Sequence, residues 1–244
     1  MESYTDLIAQ RRAAIDERLE RALARAGRRI DEVTVVAVSK TVGTDEVIAA
    51  IQAGYRVFGE NRPQELVRKM TDLSRYDDLP AVRFDMIGNL QTNKINAVLG
   101  RAALIHSIGS LHLAQAVSSR AQRRIDAGEL EGPVNVLLEV NVSGEESKSG
   151  FSPDEVRRTA EELMELSGIS VHGLMTMAPR GDKDAARKTF SGLRKLRDEL
   201  EVSLGKRLPE LSCGMSEDFE VACEEGSTIV RLGRVVFDPS FALQ

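Results

Sequence analysis

Tryptophan is absent from this 244-residue chain, and cysteine occurs only twice, as Cys213 and Cys223. Two thiols without a neighbouring His or Cys cluster build neither a disulfide framework nor a zinc site. They read as reduced cysteines of a cytosolic protein. The three histidines, His106, His112 and His172, stand at no metal-ligand spacing, and core or surface roles suit them. No apolar run is long enough for a membrane helix. The N-terminal stretch MESYTDLIAQRRAAIDERLE is charged and lacks a signal-peptide apolar core, so a cytoplasmic location is expected. Pro/Gly-rich linkers and low-complexity segments are missing too, and one domain over 1–244 is expected. The formal net charge of −5 leaves no general basic footprint for nucleic acid or an anionic membrane. A local basic pocket for a small anion remains open.

What is present is a core-forming chain, 42% apolar, whose apolar residues alternate between strand and helix patterns. Strands are expected at 33–39, 56–59, 82–87, 103–108, 134–142, 169–175, 210–213 and 228–232. Helical patterns separate them. Thr44-Asp45-Glu46 opens one helix, Pro63 a second, and Ser152-Pro153-Asp154-Glu155 a third with a capping box. Ser216 is expected to cap a helix ending at Gly226. Eight strands, nearly all followed by helices, predict a parallel sheet closed as a single (β/α)8 barrel of the TIM type. The last strand lacks a long helix, and the extra N-terminal helix over 3–26 could fill that gap. An open doubly wound sheet is the alternative.

The stretch Val33 to Lys40 (VTVVAVSK) ends a buried strand on a lysine. Alternation puts Val36, Val38 and Lys40 on one face. Parallel α/β folds place ligands at the carboxyl ends of strands. A lysine backed by valines there would be partly desolvated, which favours the free amine that a Schiff base needs. The plain alternative is a lysine that ends a strand and points to water.

Barrels often bind phosphate with the loops after strands seven and eight. Here these read Cys213-Gly214-Met215-Ser216 and Arg231-Leu232-Gly233-Arg234. Gly214 allows close backbone approach, Ser216 offers a hydroxyl, Gly233 a backbone N–H and Arg234 a charge. Ordinary glycine turns and a serine cap would explain the same residues. Arg231 interrupts an apolar strand and needs a partner if buried. That partner is either an acid or a ring nitrogen, which an arginine would leave unprotonated. Lysine, phosphate loops and arginine together suggest pyridoxal phosphate, although a lysine aldolase would use a similar set. Asn61 and Glu60 follow strand two on the rim that Lys40 occupies. The polar loop around Lys148 reads as a solvated rim segment that could close over a ligand.

AVSK at 37–40, FGEN at 58–61, IGNLQTNK at 87–94, EVNVSGEESKSGF at 139–151, HGLMTM at 172–177, LSCGMSED at 211–218 and STIVRLG at 227–233 resemble the pyridoxal phosphate homeostasis proteins. The resemblance runs in order over nearly the whole chain. It implies a barrel of the alanine racemase N-terminal type. It implies pyridoxal 5'-phosphate as cofactor, held as a Schiff base on Lys40, with Arg231 toward the ring nitrogen. Ser216 and Gly233 match its phosphate contacts, and Asn61, Gly214, Met215 and Arg234, read from the rim loops themselves, complete the expected site. The implied role is intracellular buffering or delivery of the cofactor, with apo-enzymes that use it as candidate recipients and no robust turnover. A monomer or weak homodimer is expected. The alternative is a racemase-like enzyme. Against it stands the chain's stop soon after strand eight, without the second acid/base that racemases draw from a further domain. The chain departs from the family's usual residues at Asp85, Gly109, Arg234 and Asp238.

Overall fold

A computed structural model describes residues 3–242 other than Ser147. Eight parallel strands close into a barrel in sequence order. They are β1 (Thr34–Val38), β2 (Val57–Glu60), β3 (Arg83–Met86), β4 (Ala102–Ile108), β5 (Val134–Glu139), β6 (Ile169–Met175), β7 (Glu210–Ser212) and β8 (Ile229–Leu232). The outer ring holds α1 (Tyr4–Arg25), α2 (Thr44–Gln52), α3 (Pro63–Leu73), α4 (Ile95–Val98), α5 (Leu111–Asp126), α6 (Pro153–Glu165), α7 (Lys183–Leu204), α8 (Phe219–Glu224) and α9 (Arg234–Phe237).

Closure occurs where β1 pairs with β8, and Val36 stands opposite Arg231 in that register. The helix outside this seam is α1, packed on α2, α8 and α9. Its apolar face (Ile8, Ile15, Leu19, Leu23) is buried, Ser3 caps it in a capping box, and Arg11 donates to the Val235 carbonyl at 2.8 Å. The helix therefore fills the place that the four-residue α9 is too short to cover.

Two expectations need correction. The fifth strand ends at Glu139, short of the expected Val142: Val140 makes a last bond to the Met175 carbonyl at 2.8 Å, and the chain then bridges Phe151 of the returning loop. Ser216 does not cap the helix before Gly226: that helix, α8, starts at Phe219 with Asp218 at its N-cap. Asp218 Oδ1 instead accepts from the Met215 N–H at 2.6 Å, and Ser216 Oγ accepts from the Val235 N–H in α9 at 3.2 Å.

Side chains alternate along each strand between the helix-facing layer and the barrel interior. Val36, Leu104, Leu137, Met175 and Ile229 form an apolar floor in that interior. Two residues further along β4, β5 and β8, the inward positions are His106, Glu139 and Arg231. Apolar packing below and polar groups above set the depth at which chemistry can begin.

Candidate functional site

A cavity of about 750 Å³ opens at the carboxyl ends of the strands. Seven of the eight expected site residues line it: Lys40, Asn61, Met215, Ser216, Arg231, Gly233 and Arg234. Gly214 does not. Its backbone takes φ +95°, and an added Cβ would lie 2.6 Å from Ala222 Cβ and 3.0 Å from Phe219 Cα. The glycine is there so that α8 can pack closely, and ligand approach is not what requires it.

Lys40 follows β1 by two residues, in a turn, and its side chain is exposed. The expected partial desolvation is absent, because the apolar backing stops at Val38 while the lysine reaches over an open cavity. Behind it lies a buried network that sequence reading passed over. Ser39 Oγ donates to Glu60 Oε1 at 2.6 Å, and Lys69 Nζ donates to the Ser39 carbonyl at 2.6 Å and to Glu60 Oε1. Lys69 and Glu60 are each only 1% exposed. This network grips the peptide immediately before Lys40.

Asn61 is positioned by the neighbouring loop. An added Cβ on Gly88 would come within 2.3 Å of the Asn61 carbonyl oxygen, so only glycine lets the two loops meet. The Ser107 hydroxyl fixes Gly88 in turn by donating to its carbonyl at 2.6 Å.

Arg231 is 5% exposed and makes no salt bridge among the described residues. Its Nη1 donates to the Ser212 carbonyl at 2.8 Å and to Ser212 Oγ at 2.6 Å, and Nη2 donates to the Thr176 carbonyl at 3.0 Å. Three of the five guanidinium hydrogens are thereby engaged, and the group lines the cavity. Of the two partners expected for it, no acid lies within salt-bridge distance among the described residues, although the charges of Glu139 and Asp218 act on it from further off.

Arg234 stacks over Phe241 with its guanidinium carbon 5.0 Å from the ring centroid and pairs with Glu217, so part of its charge is already neutralised. Glu139, 5% exposed, is a cavity-wall acid that sequence reading missed. Burial raises its pKa above the ordinary carboxylate value, against the hydrogen bond that Ser149 Oγ donates at 2.9 Å. The loop containing Ser149 is tied to the rim rather than solvated: Asn141 Nδ2 donates to the Glu145 carbonyl at 2.8 Å, and Lys148 Nζ donates to the Met177 carbonyl at 3.3 Å. Ser147 in that loop lies outside the described residues.

The family model for the alanine racemase N-terminal domain matches residues 11–240. A pyridoxal phosphate homeostasis protein from Aquifex aeolicus is 39% identical over 229 residues, covering 93% of this chain and 96% of its own length. One from Pseudomonas aeruginosa is 38% identical over 231 residues, covering 94% of each. The chain belongs to the pyridoxal phosphate homeostasis protein family. Among solved structures similar to it is PipY of Synechococcus elongatus with PLP bound, at TM-score 0.79 and 31% identity, covering 94% of this chain and 99% of that one.

Proposed function

We propose that this chain binds pyridoxal 5'-phosphate in the cavity as a Schiff base on Lys40, and that it buffers or delivers the cofactor inside the cell without robust turnover. The observation that carries this reading is Arg231: a buried guanidinium that makes no salt bridge among the described residues and keeps two N–H groups uncommitted there, sharing one cavity with Lys40. Those donors fit an unprotonated ring nitrogen, because arginine does not give up its proton. When bound, the cofactor supplies an electrophilic carbonyl carbon that amines attack. Lys40 Nζ, on a long exposed side chain anchored at Ser39, is the amine this chain offers. Ser216 accepts from Val235 N–H and keeps its own hydroxyl hydrogen to donate to a phosphate oxygen. Gly233 adds unobstructed backbone beside it, and Asn61 and Met215 complete the walls.

Several features support binding over catalysis. A guanidinium facing the ring holds its nitrogen unprotonated, which weakens the ring as an electron sink. Asn61 and Ser216 are not acid/base groups, which leaves cavity-wall acids such as the buried Glu139 as what a second proton transfer would need. Cytoplasmic location and delivery to apo-enzymes complete the proposal. No helix among the described residues is long and apolar enough to cross a membrane.

The test is an absorbance spectrum with added pyridoxal phosphate, before and after borohydride, beside Lys40→Ala. A visible imine band, and reduced cofactor fixed to the Lys40 peptide, are expected for the unaltered chain alone. An equal band and adduct in Lys40→Ala would overturn the assignment. Alanine racemisation that persists through many turnovers and vanishes in Lys40→Ala would overturn the non-catalytic reading.

A further inference from the structure

Below Arg231 a chain of buried side chains runs through the barrel interior. Ser212 Oγ lies 2.9 Å from His106 Nδ1, and His106 Nε2 lies 3.3 Å from Asp85 Oδ2. Asp85, His106 and Ser212 are all fully buried, and none of them lines the cavity. The donor and acceptor roles follow from chemistry. The guanidinium only donates, so Ser212 Oγ accepts from Arg231. A carboxylate only accepts, so the His106 hydrogen sits on Nε2, pointed at Asp85. Nδ1 of a neutral imidazole then accepts the Ser212 hydroxyl hydrogen. Every bond runs one way, from Arg231 through Ser212 and His106 to Asp85.

Neutrality of the imidazole is what gives the chain its direction. Burial holds the His106 pKa below its ordinary value, opposed by Asp85 on β3 and reinforced by the positive charges of Arg231 on β8 and Arg83 on β3. Arg83, half exposed, approaches Asp85 Oδ2 at 3.6 Å from the opposite end of the barrel. Asp85 Oδ1 has no partner among the described residues. An apolar core would fill this volume at lower cost.

We propose that His106, backed by Asp85, is a positioning residue for Arg231: through the Ser212 hydroxyl it fixes which guanidinium hydrogens face the cavity and couples the bound cofactor ring to the barrel interior. This rests on the reading that Arg231 faces the ring of pyridoxal phosphate. A ring nitrogen accepting from the guanidinium polarises it, and the polarisation passes down the one-way chain.

The experiment is nitrogen-15 NMR of the labelled chain, whose three histidines are few enough to assign with His106→Gln. The cofactor-free protein is expected to show His106 protonated at Nε2 only. Added pyridoxal phosphate is expected to move both imidazole nitrogens of His106. In Ser212→Ala, where Arg231 keeps its bond to the residue-212 carbonyl, that response is expected to vanish and retention of the cofactor to fall about tenfold. Ser212→Thr should restore both. Circular dichroism checks that each variant folds; if Ser212→Ala does not, the imine band and retention of His106→Gln are read in its place. An imine band on Lys40 with His106 unmoved would overturn the inference and leave cofactor binding standing. So would a Ser212→Ala or His106→Gln protein that matches the unaltered chain. No imine band in the unaltered chain would overturn the cofactor reading, and this inference with it.

Discussion

Lys69 holds an ammonium against Glu60 at a point that neither solvent nor the cavity reaches. Breaking a buried pair on one side strands the other charge, which costs far more than replacing both partners. Glu60 Oε2 already lacks a partner among the described residues. Lys69→Met is expected to lower unfolding stability by about 3–5 kcal/mol, and Lys69→Met with Glu60→Gln to recover part of it, read from urea midpoints. A double variant no more stable than the single would show that packing, not charge, holds this spot. The sequence carried a trace of this. On α3, Leu66, Lys69 and Leu73 share one buried face, so the lysine sits in an apolar register. Glu139 breaks an apolar strand just as Arg231 does, and a buried charge there needs a partner for the same reason. Gly214 and Gly233 looked alike in the sequence. Only tertiary packing separates them, since a Cβ on Gly233 meets nothing nearer than 3.5 Å.

At the scale of elements, α1 does the work of a missing eighth crossover helix. Its buried face covers the seam where the barrel closes, and Ile15 is fully buried in it. Ile15→Ala should cost about 2–5 kcal/mol in urea unfolding. Because Ile15 is remote from the cavity lining, the imine band of the folded variant should keep its position. A displaced band at full folding would mean that α1 shapes the site as well as the seam. Strand existence was legible because parallel strands buried on both faces are continuous apolar runs. Strand ends were less so: β5 stops where a returning loop offers Phe151 as a partner, which no local pattern encodes. Between β3 and β4 the crossover is only a 3-10 turn at Thr92–Lys94 and the single α-turn of Ile95–Val98. A serine before acidic residues is a local cap signal, whereas the actual partner of Ser216, Val235, belongs to the short helix after the neighbouring strand.

The whole molecule carries the signature of its buried histidine in its acid behaviour. In the folded chain His106 stays neutral below its ordinary value of 6.5, whereas the unfolded chain takes up a proton there. The unfolded state therefore binds more protons as pH falls through 6.5, and stability drops with it, by at most about 1.4 kcal/mol per pH unit. Glu139 works in the opposite sense, since its raised value lets the fold keep a proton as pH rises above the unfolded value of 4.5. The difference between the unaltered chain and His106→Gln isolates the histidine: the unaltered chain should lose stability relative to the variant between pH 7 and 5. A difference that stays flat across that range would refute the burial argument. Alternating strands and helices made the closed barrel legible, and period-two alternation put Lys40 on the face of Val36 and Val38. The interior chain of Asp85, His106 and Ser212 was not, because it joins three strands whose stagger only the closed sheet determines.

Lys40 follows the first strand and Arg231 lies in the last, and the two strands are hydrogen-bonded neighbours. A ribosome must therefore release almost the entire polypeptide before the lysine meets its arginine. On the proposed reading, the two residues meet only once the barrel has closed, so loading of Lys40 would follow folding rather than accompany synthesis.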